Sequence, residues 1–204
     1  MMRRICTALL VTLTACAAPT APWTELIDGG TAGWAATNFG GEGEVAIVDG
    51  AVEFDYGSPM TGLTWTGAPP IGDYDLEVTA ARVEGTDFFC GLTFPVGDAF
   101  LTLVLGGWGG SLCGLSSLDG EDASSNESKR LFSFENGREY RVLLQVRSAR
   151  VTVWIDDAVL MDVPIAGKRL SLRPEVELSR PLGIASFATR ARVRSMRWRP
   201  AVGG

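Results

Sequence analysis

From residue 23 onward the chain is a succession of short β-prone runs broken by Gly, Asp and Pro, and no window longer than a turn or two has helical periodicity. Such a chain buries its apolar side chains only by pairing strands and stacking sheets. Tyr74, Leu76, Val78 and Ala80 alternate with Asp75, Glu77 and Thr79, and Tyr140, Val142, Leu144 and Val146 alternate with Arg141, Gln145 and Arg147. Both segments predict half-buried strands. Val151, Val153 and Ile155 follow, and Asp156-Asp157 predicts a tight turn into 158–163. Asp49-Gly50, between 45–48 and 51–54, is the clearest hairpin signal. In the last run Ala191 and Val193 share one phase, Met196 and Trp198 the other, so a β-bulge is expected near Ser195. About twelve strand candidates suit two stacked antiparallel sheets better than a small barrel. The expectation is one all-β domain over residues 23–200.

The N-terminus reads as an address. Arg3 and Arg4 precede a short apolar run from Ile5 to Leu13, and Leu13-Thr14-Ala15-Cys16 resembles a bacterial lipobox. On this reading residues 1–15 are a signal peptide, Cys16 is the lipidated N-terminus, and 16–22 form a short Ala/Pro tether. An ordinary signal peptide with a chance cysteine is the alternative. The apolar run is far short of the ~20 residues needed to span a bilayer. The expected location is the cell envelope, on the extracytoplasmic side of a membrane held through the N-terminal lipid alone.

Composition excludes several chemistries. Losing Arg3 and Arg4 with the signal takes the formal charge from −6 to −8. Nucleic acid is therefore not an expected partner. The chain has no histidine, so Ser-His-Asp and Cys-His nucleophile pairs and His-containing zinc sites are ruled out. Acid–base chemistry falls to carboxylates, Tyr or the two lysines, Lys129 and Lys168. Cys90 and Cys113 stand in strand-like runs with a third run between them. In a meander they lie two strands apart, ~9–10 Å, which favours two buried free thiols over a disulfide.

Several segments, in order, resemble the 3-keto-disaccharide hydrolase domain family. Leu26-Ile27-Asp28-Gly29-Gly30-Thr31 with Gly33-Trp34 is similar to its opening L-F-D-G-K-(S/T)…G-W signature, and Val48-Asp49-Gly50-Ala51 to its dGaL hairpin. Asp73-Tyr74-Asp75-Leu76 resembles its dfeL strand. Gly137 to Val142 with Val153 to Asp157 resembles its G-x-W-x-x-y-x-I…W-x-N-G pair. Leu182-Gly183-Ile184 with Val193 to Arg197 resembles the closing G-x-I…V-x-F-R-N-I. The resemblance implies a concanavalin/LamG-like jelly roll and hydrolase or lyase activity on 3-keto-glycosides, and the short tether favours small diffusible glycosides as partners over a distant polymer. A C3 carbonyl acidifies the C2 proton, so a carboxylate base and a cation facing the enolate would suffice. The chain departs from the family at Phe100 to Leu105, which has no acid, and at Ala185-Ser186-Phe187 and Thr189, where Gln and His are usual.

Candidate site residues follow. Gly106-Gly107-Trp108-Gly109-Gly110 suggests backbone close to a ligand and a Trp108 face for stacking a sugar; a tight crossing with Trp108 packed inside is the alternative. The 119–127 stretch is rich in carboxylates. Asp122 and Glu127 are possible ligands for a divalent cation, Asn126 is a possible sugar contact, and a solvated loop is the alternative. No other cofactor is implied. Read as a strand, 173–181 puts Glu175 and Glu177 on one side with Arg173, and Arg180 nearby. Glu175 or Glu177 would be the base and Arg180 the enolate stabiliser; a surface ion-pair ladder is the alternative. Asp87, before Phe88-Phe89, is a further substrate-binding candidate. The arginines from Arg190 to Arg199 are expected to form a solvated strand face. A non-catalytic sugar-binding or envelope-scaffold protein is the rival to the enzyme.

Overall fold

The computed structural model describes residues 21–202. Cys16, the signal-like segment and most of the tether lie outside them. Fifteen strands account for nearly all of the regular structure. In chain order they are β1 (Thr24–Asp28), β2 (Trp34–Ala36), β3 (Val45–Val48), β4 (Ala51–Phe54), β5 (Met60–Trp65), β6 (Tyr74–Gly85), β7 (Cys90–Val96) and β8 (Ala99–Gly106). After a glycine turn follow β9 (Leu112–Ser116), β10 (Arg130–Leu131), β11 (Tyr140–Arg147), β12 (Arg150–Ile155) and β13 (Ala158–Pro164). A 3₁₀ turn, Pro174–Ser179, precedes β14 (Gly183–Phe187) and β15 (Thr189–Pro200). No described helix is long and apolar enough to cross a membrane.

The strands form two antiparallel sheets. One runs β13-β12-β11-β6-β15-β4-β3, with β1 also paired to β15. The other runs β10-β9-β8-β7-β14-β5-β2. Register decides what each face carries. In the second sheet Leu63, Ile184, Leu92, Leu103 and Leu115 stand opposite one another on five adjacent strands. All are buried in the main core against Leu76, Val142 and Val153 of the first sheet. Each side chain so buried contributes about 2 kcal/mol.

The turns predicted from sequence are present. Val48 pairs with Ala51, and Asp49 and Gly50 have φ of 50° and 70°. Asp156 and Asp157 likewise both have positive φ, 47° and 72°, between β12 and β13. Positive φ at both central residues gives the turn a twist that matches the flanking strands. The bulge lies between Val193 and Ser195, where the pairing with β6 shifts by one residue. Its extra residue keeps Arg192 and Arg197 on the outside while Val193 and Met196 stay in the core. Cys90 and Cys113 both stand opposite Leu105, one on each side, as buried free thiols. Burial pushes their pKa values up to about 12 and about 11.

One segment departs from its expected form. Residues 174–179 are a 3₁₀ turn, not a strand. Pro174 sits at its start, where a missing N–H costs nothing, and the Val176 N–H donates to the Arg173 carbonyl at 3.1 Å. Six residues are too few to tell period two from period three, so Glu175 and Glu177 no longer share a side.

Candidate functional site

The outer face of the seven-stranded sheet carries two cross-strand rows of mostly small residues. One row is Gly62, Ala185, Gly91, Val104 and Gly114, and the next is Thr64, Gly183, Thr93, Thr102 and Ser116. Small side chains let other segments lie close on this face. Phe88 packs over Gly91, where a Cβ would stand 2.7 Å from its ring. Val176 of the 3₁₀ turn packs against Met60 and Ala185. Between the covering segments is a cleft of about 160 Å³.

Thr102, Val104 and Ser116 of the sheet form its floor. Asp87, Phe88 and Trp108 come from the loops flanking β7 and β8. Arg173, Glu175 and Val176 come from the 3₁₀ segment, with Met60 and Phe187 completing the apolar lining. The lining is thus an apolar body with a few convergent polar groups, the usual make-up of a small-ligand site.

Trp108 owes its place to the glycines around it. Gly106, Gly109 and Gly110 have φ of 80°, 93° and 99°, and Trp108 itself sits at φ 47°, ψ 56°. A tryptophan in this left-handed region is strained by about 1–2 kcal/mol. The strain holds a large ring at the surface, where it is 44% exposed. The packed-inside alternative is therefore not what the fold adopts. Behind the turn, buried Arg82 donates to the Gly110 carbonyl at 2.9 Å and to the Phe134 carbonyl at 2.6 Å.

Arg173 is the electrostatic centre of the cleft. Nη1 donates to Asp122 Oδ2 and Nη2 to Glu175 Oε1, each at 2.6 Å, and Cζ lies 5.9 Å from the centre of the Trp108 ring. The hydrogen bond from Arg173 holds the Glu175 carboxyl below its usual value, burial notwithstanding. Burial raises the Asp122 carboxyl, but donors from Ser124 and then Arg173 outweigh it and the pKa is lowered. The same pairing, led by the hydrogen bond to Glu175, raises the pKa of Arg173. Asp87 Oδ1 accepts the Phe88 N–H at 2.8 Å, and among the described residues its carboxylate is in no ion pair.

Of the residues singled out from sequence, Trp108, Asp87 and Glu175 meet in the cleft. Glu177 and Arg180 do not line it: they pair with each other at 3.0 Å, both half-exposed, with Arg180 over the Phe100 ring at 5.4 Å. Asn126 is buried as a loop brace. Its Nδ2 donates to the Leu115 and Glu121 carbonyls, and its Oδ1 accepts from the Ser128 N–H and hydroxyl. Asp122 faces Arg173, whereas Glu127 faces Lys168 at 2.6 Å. Among the described residues no group of three His, Cys, Asp or Glu side chains is placed to hold a metal. The sequence reading missed the floor and the apolar lining. The one signal for them was Thr102 and Ser116, small polar residues in otherwise apolar strands.

No family model matches the chain, and no curated protein matches it in sequence. Solved structures do match in shape. The apo Crh5 transglycosylase aligns with a TM-score of 0.63 at 13% identity, covering 91% of this chain and 89% of that one. The metal-free carbohydrate recognition domain of Emp46p aligns with a TM-score of 0.57 at 16% identity, covering 84% and 90%. The carbohydrate binding module CBM66 from Bacillus subtilis aligns with a TM-score of 0.54 at 13% identity, covering 80% and 93%. These likenesses define the class by fold: the chain is a concanavalin-like jelly-roll sandwich.

Proposed function

We propose that this chain is a sugar-binding protein, tethered to a membrane through lipid on Cys16, whose ligand enters the cleft beside Trp108. The observation that carries the reading is the exposed tryptophan, held over an apolar cleft by a glycine turn with Asp87, Arg173 and Glu175 within the same lining. An aromatic face stacks on the apolar side of a sugar ring while carboxylates and guanidinium bond its hydroxyls. Structural neighbours that are carbohydrate-binding domains agree with it. Calorimetric titration of the full chain with a saccharide panel tests the reading. Binding that disappears in Trp108→Ala supports it, and binding indifferent to that change removes it. Cys16 is tested apart: Cys16→Ser moves the protein from the membrane to the soluble fraction if the cysteine carries the lipid.

The 3-keto-glycoside reaction is a second reading, and one observation favours it: Asp87 and Glu175 share the cleft with Arg173. In that chemistry Asp87, in no ion pair among the described residues, is the carboxylate able to take the C2 proton. Arg173, shared with Asp122 and Glu175, is the cation of the lining that would face the enolate oxygen. Glu175, held ionised by Arg173, is a poor acid and a weakened base. Glu177 and Arg180 are too far outside the lining to act as first expected. Release of monosaccharide from a 3-keto-disaccharide, abolished in Asp87→Asn, would establish this reading.

A further inference from the structure

The way the sheet face is covered restricts what the cleft accepts. Toward one edge, Ala123 of the 119–128 loop lies so close to β9 that a Cβ on Gly114 would stand 2.9 Å from its own Cβ. Toward the other, a Cβ on Gly183 of β14 would stand 2.5 Å from the Ser179 carbonyl at the end of the 3₁₀ turn. The first covering is pinned to the segment that leads into the 3₁₀ turn. The backbones of Ser117 and Ser171 exchange hydrogen bonds of 2.7 and 3.2 Å, and Lys168 reaches both Asp119 and Glu127. Between these coverings lies the cleft, with about 160 Å³ of open space. A cavity of about 150 Å³ holds a single six-membered carbon ring.

The charge in the cleft points the same way. Arg173 already faces two carboxylates, Asp122 and Glu175, and Asp87 adds a third to the surroundings of the cleft. A further anion brought here meets no uncommitted cation among the described lining residues, whereas hydroxyl groups meet carboxylate acceptors.

We infer that the cleft takes one terminal ring of a neutral saccharide, end-on, and rejects both chain interiors and acidic sugars. The inference rests on the sugar-binding reading and goes beyond it by fixing ligand length and charge. A chain interior needs a groove open at both ends, and here the sheet face is closed by packed backbone on two sides.

The test uses the full chain and probes of graded length: neutral and uronic-acid saccharides from monosaccharide to hexasaccharide, plus a cyclodextrin as a ring of sugars with no terminus. In whichever series binds, the hexasaccharide and the methyl glycoside of its terminal sugar should agree in Kd to within about threefold, since added rings meet no further protein. Uronic acids should bind at least ~tenfold more weakly than their neutral counterparts, and Glu175→Gln should narrow that gap. Affinity that climbs more than ~tenfold between one ring and four, or cyclodextrin binding equal to that of the linear glucan, overturns the terminal-ring inference and leaves sugar binding standing. Uronic acids that bind as tightly as neutral sugars overturn the charge half. Binding of no saccharide at all overturns the underlying reading.

Discussion

The two outer faces of the sandwich solve the same packing problem in opposite ways. On the eight-stranded sheet, Asp75 and Glu77 of β6 are buried because arginines cover them. Arg199 and Arg197 stand directly opposite on β15, and Arg147 and Arg141 reach them diagonally from β11. Arg197 meets Glu77 at 2.6 Å and Arg199 meets Asp75 at 3.0 Å, while Trp23 lies against both guanidinium groups at 4.7 and 4.4 Å. Arg192 likewise stands opposite Glu53 and binds it. This face covers itself with long side chains in register. The seven-stranded sheet does the reverse. Its outer rows are small, its cover comes from loops far away in sequence, and the fit is incomplete over Thr102, Val104 and Ser116. The lesson is that a binding site needs cover that does not quite close.

The sharpest way to break this contrast is to remove a carboxylate from the self-covered face. Glu77→Ala leaves Arg141 and Arg197 without their shared partner and should cost about 3 kcal/mol, the low end for a broken buried pair because both arginines still reach water. Urea unfolding gives the value, and a loss below about 1 kcal/mol would mean the ladder is decorative. Next in size is Asn126→Ala, which strips four hydrogen bonds from the brace beneath the 119–128 loop. A loss of about 2 kcal/mol is expected in the same assay. Sugar affinity should then fall only through the loop, so a variant that is fully stable yet cannot bind would restore Asn126 as a direct contact.

Trp108→Gly separates function from stability. It should lower sugar affinity at least tenfold, about 1.4 kcal/mol, yet raise stability by about 1 kcal/mol by relieving left-handed backbone. Lower stability in this variant would show that the ring is packing, not platform. The smallest effect concerns pH. Glu175 and Asp122 are held below their ordinary values of 4.5 and 3.8, so their contribution is complete above about pH 4.5 and is lost as pH falls through the depressed values. Wild-type stability should therefore decline below about pH 4 more steeply than that of Glu175→Gln. Equal slopes would show that the Arg173 cluster adds nothing to the fold.

Much of the frame was legible because it is local. Asp49-Gly50 and Asp156-Asp157 announce their turns through the backbone conformations they tolerate. The phase slip at Ser195 announces its bulge through alternation alone. The arginine run from Arg190 to Arg199 was readable as one outward face, but its partners were not, because register places Glu77 and Asp75 opposite from over a hundred residues away. The site was legible only in fragments. Trp108 stood out by its glycines and Asp87 by its aromatic neighbours, but the pattern of 173–181 misled, since a proline-led 3₁₀ turn and a strand share the same few letters. Thr102, Val104 and Ser116 were invisible as a floor until it was known which face of their strands is covered.

What the sequence determined by itself, then, is the β-sandwich class, the principal turns and the lack of any histidine for catalysis or metal binding. These depend on nearest-neighbour conformation and on residue inventory. Only the tertiary structure decided that Glu175 joins Trp108 and Asp87 while Glu177 turns away to Arg180, and that Asn126 braces a loop. Those outcomes depend on cross-strand register and on which distant segment lies over which row of small residues, and no local pattern carries that information.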